Sequence, residues 1–179
     1  MKQKPIVKQK KIVARSRYFA IEQLDLEFSN GATRQFERIA GRSHGAVIIV
    51  PLQADDTLLL VSEYAAGLDR YELAFPKGMV NAGEDLVAAT DRELKEEIGF
   101  GAKNIEAIKQ TSAIPGYWGN HATIMLARDL YPEKLIGDEP EPLEVVPWKI
   151  QDYKQLLKRE DFTEARSIAA LLLVKALFY

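Results

Sequence analysis

The stretch Gly78-Met-Val-Asn-Ala-Gly-Glu84-Asp-Leu-Val-Ala-Ala-Thr-Asp-Arg92-Glu93-Leu94-Lys-Glu96-Glu97-Ile-Gly99-Phe100 decides how this chain is read. Residues 84–98 include neither Gly nor Pro, and Leu86, Ala89, Leu94 and Ile98 can share one apolar face. A helix is therefore expected there, stopped by Gly99. Residues three and four apart on a helix are neighbours, so Glu93, Glu96 and Glu97 converge, and Arg92 can pair with Glu96. Like charges this close repel. Either solvent screens them on an ordinary charged face, or a cation compensates them. Carboxylate oxygens are hard ligands, so the cation would be Mg²⁺, Ca²⁺ or Mn²⁺. Gly78 and Gly83 let the loop ahead of the helix turn tightly.

Composition narrows the chemistry around that helix. With 179 residues and 47% hydrophobic content, the chain can bury a substantial core. A net charge of −2 with both signs mixed gives no basic surface for a nucleic acid polymer. The absence of cysteine excludes disulfides, thiol nucleophiles and cysteine-bound zinc, and the two histidines, His44 and His121, do not suffice for a histidine-rich centre. Residues 1–11 are basic and polar without the apolar core of a signal peptide. The apolar run 168–178 is interrupted by Lys175 and falls short of the roughly 20 residues that span a bilayer. The expectation is a cytoplasmic protein without membrane contact, with a flexible lead over 1–11 and a single domain over 12–179.

Outward from the helix, strands are expected on both sides. Residues 12–28 have strand character, Ser29-Asn30-Gly31 is a hairpin turn, and 33–39 returns as the second strand of an N-terminal antiparallel pair. The apolar run 46–52 reads as a buried strand, Asp55-Asp56 as a turn, and 57–64 as its hairpin partner. A short strand over 71–75 leads into a loop over 76–83. Further strands are expected at 105–111, 122–127 and 144–148, with an acidic, proline-bearing loop over 131–143. Helices are expected over 150–157 and 163–178, the last with an apolar face of Ile168, Leu171, Leu172 and Ala176. This order implies an α+β protein, a mixed sheet flanked by helices.

The spacing Gly78, Glu84, then Arg92-Glu93-Leu94-x-Glu96-Glu97-x-Gly99-Phe100 resembles the Nudix box, and every defining position is filled. The resemblance implies an α/β/α sandwich around a mixed β-sheet, with the box as a loop–helix–loop. It also implies hydrolysis of a nucleoside diphosphate linked to another moiety, using Mg²⁺ or Mn²⁺. On that pattern Glu93 and Glu97 are the principal metal ligands, and Glu96 helps to hold a further ion or water. The Lys77 carbonyl completes the shell, Glu84 and Arg92 orient the carboxylates, and Gly83 and Gly99 shape the motif.

Other segments bear on the substrate. Pro115-Gly116 begins 15 residues after Phe100, which resembles the marker of the ADP-ribose pyrophosphatase branch. Val13-Ala-Arg-Ser-Arg17, Asp25-Leu-Glu-Phe-Ser-Asn-Gly31, Asp129-Leu-Tyr-Pro-Glu133 and Gly137-Asp-Glu-Pro-Glu-Pro-Leu143 resemble members that act on ADP compounds. That implies ADP-ribose, Ap3A and NADH as substrates, AMP as a product, and a homodimer. Such members often place the general base on a mobile loop after the box; here Glu139 is the candidate and Glu141 the reserve. Arg38 suits a phosphate or ribose. Tyr64, Tyr117 or Trp118 could stack on adenine. Glu63, Glu72, Gly78, Pro115 and Gly116 complete the expected substrate-facing positions. Two alternatives stay open at this point: a hydrolase of nucleoside triphosphates or sugar nucleotides, and a module that binds ADP-ribose without cutting it. The second would be expected to have lost box glutamates.

Overall fold

The computed structural model of the protein describes residues 2–41 and 44–179. It divides into two compact units, the first from the described residues of Met1–Ser43 with Ser112–Asn120, the second from His44–Thr111 with His121–Tyr179.

The first unit is a three-stranded antiparallel sheet in the order β1-β2-β3, formed by β1 (Ile6–Arg15), β2 (Ala20–Glu27) and β3 (Thr33–Ile39). The expected strand pair is present as β2–β3, joined through Asn30 and Gly31, the latter at φ +80 where glycine carries no steric penalty. The lead expected over 1–11 is instead strand from Ile6 onward; Met1 lies outside the described residues. The stretch 12–28 is broken where Ser16 accepts from the Phe19 amide and its own amide donates to the Phe19 carbonyl. The part of β1 before Ile12 was not expected as strand because it is exposed, so its lysines do not alternate with buried apolar residues. Lysines of this kind blunt a sheet edge.

The second unit carries two sheets. One is mixed, in the order β7-β4-β9-β8, from β4 (Ala46–Pro51), β7 (Lys77–Met79), β8 (Phe100–Thr111) and β9 (Ala122–Pro132), with β4 and β9 parallel. The other is antiparallel, in the order β10-β5-β6, from β5 (Thr57–Ala65), β6 (Arg70–Ala74) and β10 (Glu144–Lys149). The expected β4–β5 hairpin does not form. The two strands share one bridge, Leu52 to Leu58, and then part into different sheets. Both are buried on both faces, so their apolar runs do not specify a partner.

Alternation explains the layers. Ile48, Val50, Leu58, Leu60, Ile124 and Leu126 face one way, toward Ala170, Leu171 and Val174 of α3 (Ala165–Phe178) and Leu156 of α2 (Tyr153–Leu156). Val47, Ile49, Leu59, Val61, Met125 and Ala127 face the other way, toward Ala89, Leu94 and Ile98 in and beside α1 (Leu86–Glu97). Within this unit the strands are thus sandwiched between helices. The face of α3 differs from expectation: Ser167, Ala170, Leu171 and Val174 are buried, whereas Leu172 and Ala176 are exposed. Ser167 points inward because its hydroxyl accepts from the Phe75 amide at 3.1 Å. Among the described residues no helix is long and apolar enough to cross a membrane.

Candidate active site

The helix that carries the acidic cluster is fixed at both ends. Asp85 caps it, accepting from the Ala88 amide at 2.8 Å. Gly99, at φ +75, lets the chain leave its C-terminus, where Lys134 Nζ donates to the Glu96 carbonyl at 2.6 Å. Leu94 is fully buried beneath it; truncation to Ala would cost about 2–5 kcal/mol. Strand β7 pairs with β4, Gly78 opposite Val47, and so lies along the same helix. Over Gly78 the fit is close. A Cβ there would stand 1.9 Å from the Glu93 carboxylate, a space only glycine leaves open.

Arg92 organises the cluster. Its Nε and Nη2 donate to the two Glu84 oxygens at 2.9 and 3.1 Å, and Nη2 also donates to the Met79 carbonyl at 2.9 Å. Its Nη1 donates to Glu93 at 2.7 Å and to Glu96 at 2.9 Å. Glu84 in turn accepts from the Asn81 amide at 2.9 Å, and the guanidinium holds its carboxyl below the usual range. A fork with its donors so engaged is a rigid positioner.

Glu93 and Glu97 are 8% and 6% exposed. Burial pushes Glu93 up to about 7, against the pull of Arg92, and Glu97 up to about 8, against Lys77. The Glu97 oxygens accept only long bonds, 3.3 and 3.4 Å, from the Lys77 amide. Two buried carboxylates a helical turn apart are thus left short of positive charge. Among the described residues no three acidic or histidine side chains already surround one point, Arg92 Nη1 holding Glu93 and Glu96 instead. The donor chemistry nevertheless fits a hard divalent cation: the Glu93, Glu96 and Glu97 carboxylates beside the Lys77 carbonyl, under a glycine that clears the way.

These residues line one cleft of about 680 Å³, together with Glu63, Met79, Asn81 and the loop residues Ile136 to Pro140. Lys77 Nζ binds Glu63 at 2.5 Å across it. Glu139 lies on the loop side, close enough for its charge to raise the pKa of Glu93 further.

The remaining expected positions lie elsewhere. Glu141 accepts from the Tyr71 hydroxyl at 2.5 Å and does not line the cleft. Glu72 is buried and committed to structure: it pairs with Arg70 and accepts from the Thr163 amide and hydroxyl at 3.2 and 2.9 Å, tying β6 to the approach of α3. Tyr64 donates to Asp69 at 2.5 Å at the tip of the β5–β6 hairpin, also off the cleft lining. Arg38 belongs to the first unit, where it grips the buried Glu22 at 2.6 and 2.7 Å. Pro115, Gly116 and Tyr117 belong to the segment Ser112–Asn120 of that unit, and the Tyr117 carbonyl accepts from the Ile39 amide at 2.8 Å. Sequence reasoning passed over Met79, whose carbonyl serves Arg92, and Ile136, which lines the cleft from the acidic loop while almost fully exposed.

A sandwich of this topology, with a glycine-lined loop feeding an Arg-Glu-x-x-Glu-Glu helix, defines a class, and the comparisons agree on it. The NUDIX domain family model matches residues 42–172, and the model of the NudE-type Nudix hydrolase N-terminal domain matches residues 5–38. The chain belongs to the Nudix hydrolase family, whose members act with divalent metal ions. More particularly, it is 49% identical to the ADP compounds hydrolase NudE of Escherichia coli (strain K12), over 97% of this chain and 92% of that one. It is 26% identical to the ADP-ribose pyrophosphatase of Bacillus subtilis (strain 168), over 91% of each. A crystal structure described as an ADP compounds hydrolase superposes with a TM-score of 0.93 at 48% identity, covering 98% of this chain and 95% of that one. The 5–38 match falls within the first unit, and the 42–172 match takes in most of the second together with Ser112–Asn120 of the first.

Proposed function

We propose that this protein hydrolyses the pyrophosphate bond of ADP-linked compounds, ADP-ribose, Ap3A and NADH, with release of AMP, using Mg²⁺ or Mn²⁺. The observation that carries the reading is the pair of buried, charge-starved carboxylates, Glu93 and Glu97, under Gly78 at the floor of a cleft with Glu139 at its loop side. The ADP specificity is carried over from the relatives named above.

The bound divalent cation would supply charge neutralisation at the pyrophosphate and lower the pKa of the attacking water. The protein's own part is positional and acid–base. Glu84 holds Arg92, and Arg92 holds Glu93 and Glu96 at fixed angles, so the site is organised before substrate arrives. Water attacks one phosphorus, the bridging P–O bond breaks, and the water's proton passes to the Glu139 carboxylate. Glu139 sits on the loop between β9 and β10, which lines the cleft and brings its carboxylate to the side of the box helix. Lys77, beside Glu63, offers a cation to the leaving phosphate. We further assign a homodimer in the cytoplasm; exposed Ile6, Val7, Ile12 and Val13 on β1 provide apolar surface for association.

The test is a product assay on purified protein with Mg²⁺ or Mn²⁺. AMP from ADP-ribose, Ap3A or NADH is expected. Turnover confined to nucleoside triphosphates or to UDP- and GDP-sugars would overturn the substrate class, and tight ADP-ribose binding without any product would make the chain a sensor. Light scattering after size exclusion tests the dimer.

A further inference from the structure

The front of the loop over 133–143 is tied to the helix region: the Glu133 amide donates to the Gly99 carbonyl, the Leu135 amide to the Lys95 carbonyl, and the Glu133 carboxylate meets Lys95 at 2.8 Å. Farther along, the chain runs Gly137-Asp138-Glu139-Pro140-Glu141-Pro142, and the Tyr71 hydroxyl donates to the Glu141 carboxylate at 2.5 Å. Tyr71 stands on β6. Its ring meets that of Tyr64 edge-on at 5.7 Å and 66°, and Tyr64 is itself held by Asp69 at 2.5 Å. Asp69 occupies the hairpin tip at φ 55. The hairpin therefore aims the Tyr71 hydroxyl at the loop from a braced ring.

The two prolines make that contact matter to Glu139. A residue before proline is kept out of the helical region and proline fixes its own φ, so 139–142 has few conformations open to it, and it bends at Pro140 and Glu141. Glu139 is only two residues from Glu141, at most about 7 Å of chain. The residue that Tyr71 grips and the residue that lines the cleft are thus joined through one conformationally restricted bend.

We propose that Tyr71 and Glu141 form a tether that positions Glu139 over the cleft, making both positioning residues for the reaction. The proposal rests on the reading of Glu139 as the proton acceptor. It also gives Glu141 a task other than proton transfer: its carboxylate is not part of the cleft lining and needs only to accept a hydrogen bond.

The experiment is steady-state hydrolysis of ADP-ribose at saturating Mg²⁺ with four single variants and one double, plus amide hydrogen exchange over 136–141. Tyr71→Phe keeps the ring and its packing on Tyr64 and removes only the hydroxyl. It should lower kcat about tenfold, leave KM within about twofold, and speed exchange in the loop, as expected for slight misplacement of a catalytic group. Glu141→Ala should match it. Glu141→Gln, whose amide oxygen still accepts from Tyr71, should restore most of the turnover. In a Glu139→Gln background, Tyr71→Phe should add nothing further. Wild-type kcat in Tyr71→Phe and Glu141→Ala, with Glu139→Gln impaired, would overturn the tether while leaving the base in place. Glu141→Gln as damaging as Glu141→Ala would show that its charge matters rather than its contact, which also overturns the tether. Wild-type kcat in Glu139→Gln would remove the base, and with it the tether's purpose.

Discussion

Replacing Gly78 by Ala tests the site with a single methyl group. The backbone tolerates the change, because Gly78 has no positive φ, unlike Gly83 and Gly99. Exchanging glycine for alanine even lowers the entropy of the unfolded chain, a gain of about 0.4–1 kcal/mol at compatible positions. What the methyl meets is the Glu93 carboxylate, at 1.9 Å. Ordinary contact begins at 3.4 Å, so the carboxylate must retreat by 3.4 − 1.9 = 1.5 Å. Glu93 is the far end of a flexible side chain and can make that move without unfolding the strand or helix. The expected result is therefore a split: a Tm within about 3 °C of wild type, since 1 kcal/mol moves a domain of this size by about 2–4 °C. At the same time kcat/KM should fall at least about 10²-fold, the scale of loss when a reacting group is misplaced by about 1 Å, or about 2.7 kcal/mol in the barrier. Thermal melts with and without Mg²⁺, beside an AMP-release assay on ADP-ribose, measure both. Near-wild-type turnover in a folded variant would refute the assignment of Glu93 under Gly78. A collapse of Tm in EDTA would refute the claim that the glycine serves the site rather than the fold.

Three further outcomes follow from the same geometry. Glu97→Gln should lower kcat at least about 100-fold through loss of a ligand charge. Yet in EDTA at pH 8 its Tm should not fall below wild type, because a buried, undercompensated carboxylate has been removed. The second outcome concerns pH. Burial raises Glu93 to about 7 and Glu97 to about 8, both from an ordinary 4.5. At these two positions the native state therefore binds protons more tightly than the unfolded one, so the pair's contribution to metal-free stability is fully present below about pH 4.5 and is lost as pH rises toward 8. A divalent cation offsets that loss, so the rise in Tm on adding Mg²⁺ should be larger at pH 8 than at pH 6; an equal rise at both would count against the buried pair as its seat. Finally, Glu139→Gln should reduce kcat more than KM, read from initial rates on ADP-ribose, since a proton acceptor acts in the transition state. The reverse pattern would make Glu139 a binding residue.

What the sequence could disclose was set by locality. The grouping of Glu93, Glu96 and Glu97, the Arg92–Glu96 pair at 2.9 Å and the stop at Gly99 all follow from 3.6 residues per turn and a glycine's freedom at positive φ. The resemblance of the box extended this to the family and to the sandwich. Where a strand was buried on both faces, as in β4 and β5, its existence was plain but its partner was not, and the expected hairpin gave way to two separate sheets. Where a strand was exposed on both faces, as in β1, its first six residues escaped the pattern and its end merged with the next strand.

The same division runs through the site. By itself the sequence determined which residue types share one helix face, because contacts three and four positions apart depend on the helix alone. Only the tertiary structure decided that Glu93 and Glu97, rather than Glu96, are the most buried members of the trio. It also turned Glu72 inward to Arg70 and Thr163, and separated Glu139 at the cleft from Glu141 at Tyr71. Tyr71 and Glu141 are 70 positions apart, and Thr163 and Glu72 are 91. Contacts at that separation depend on strand order and on how the sheets and helices pack, which no short-range periodicity encodes.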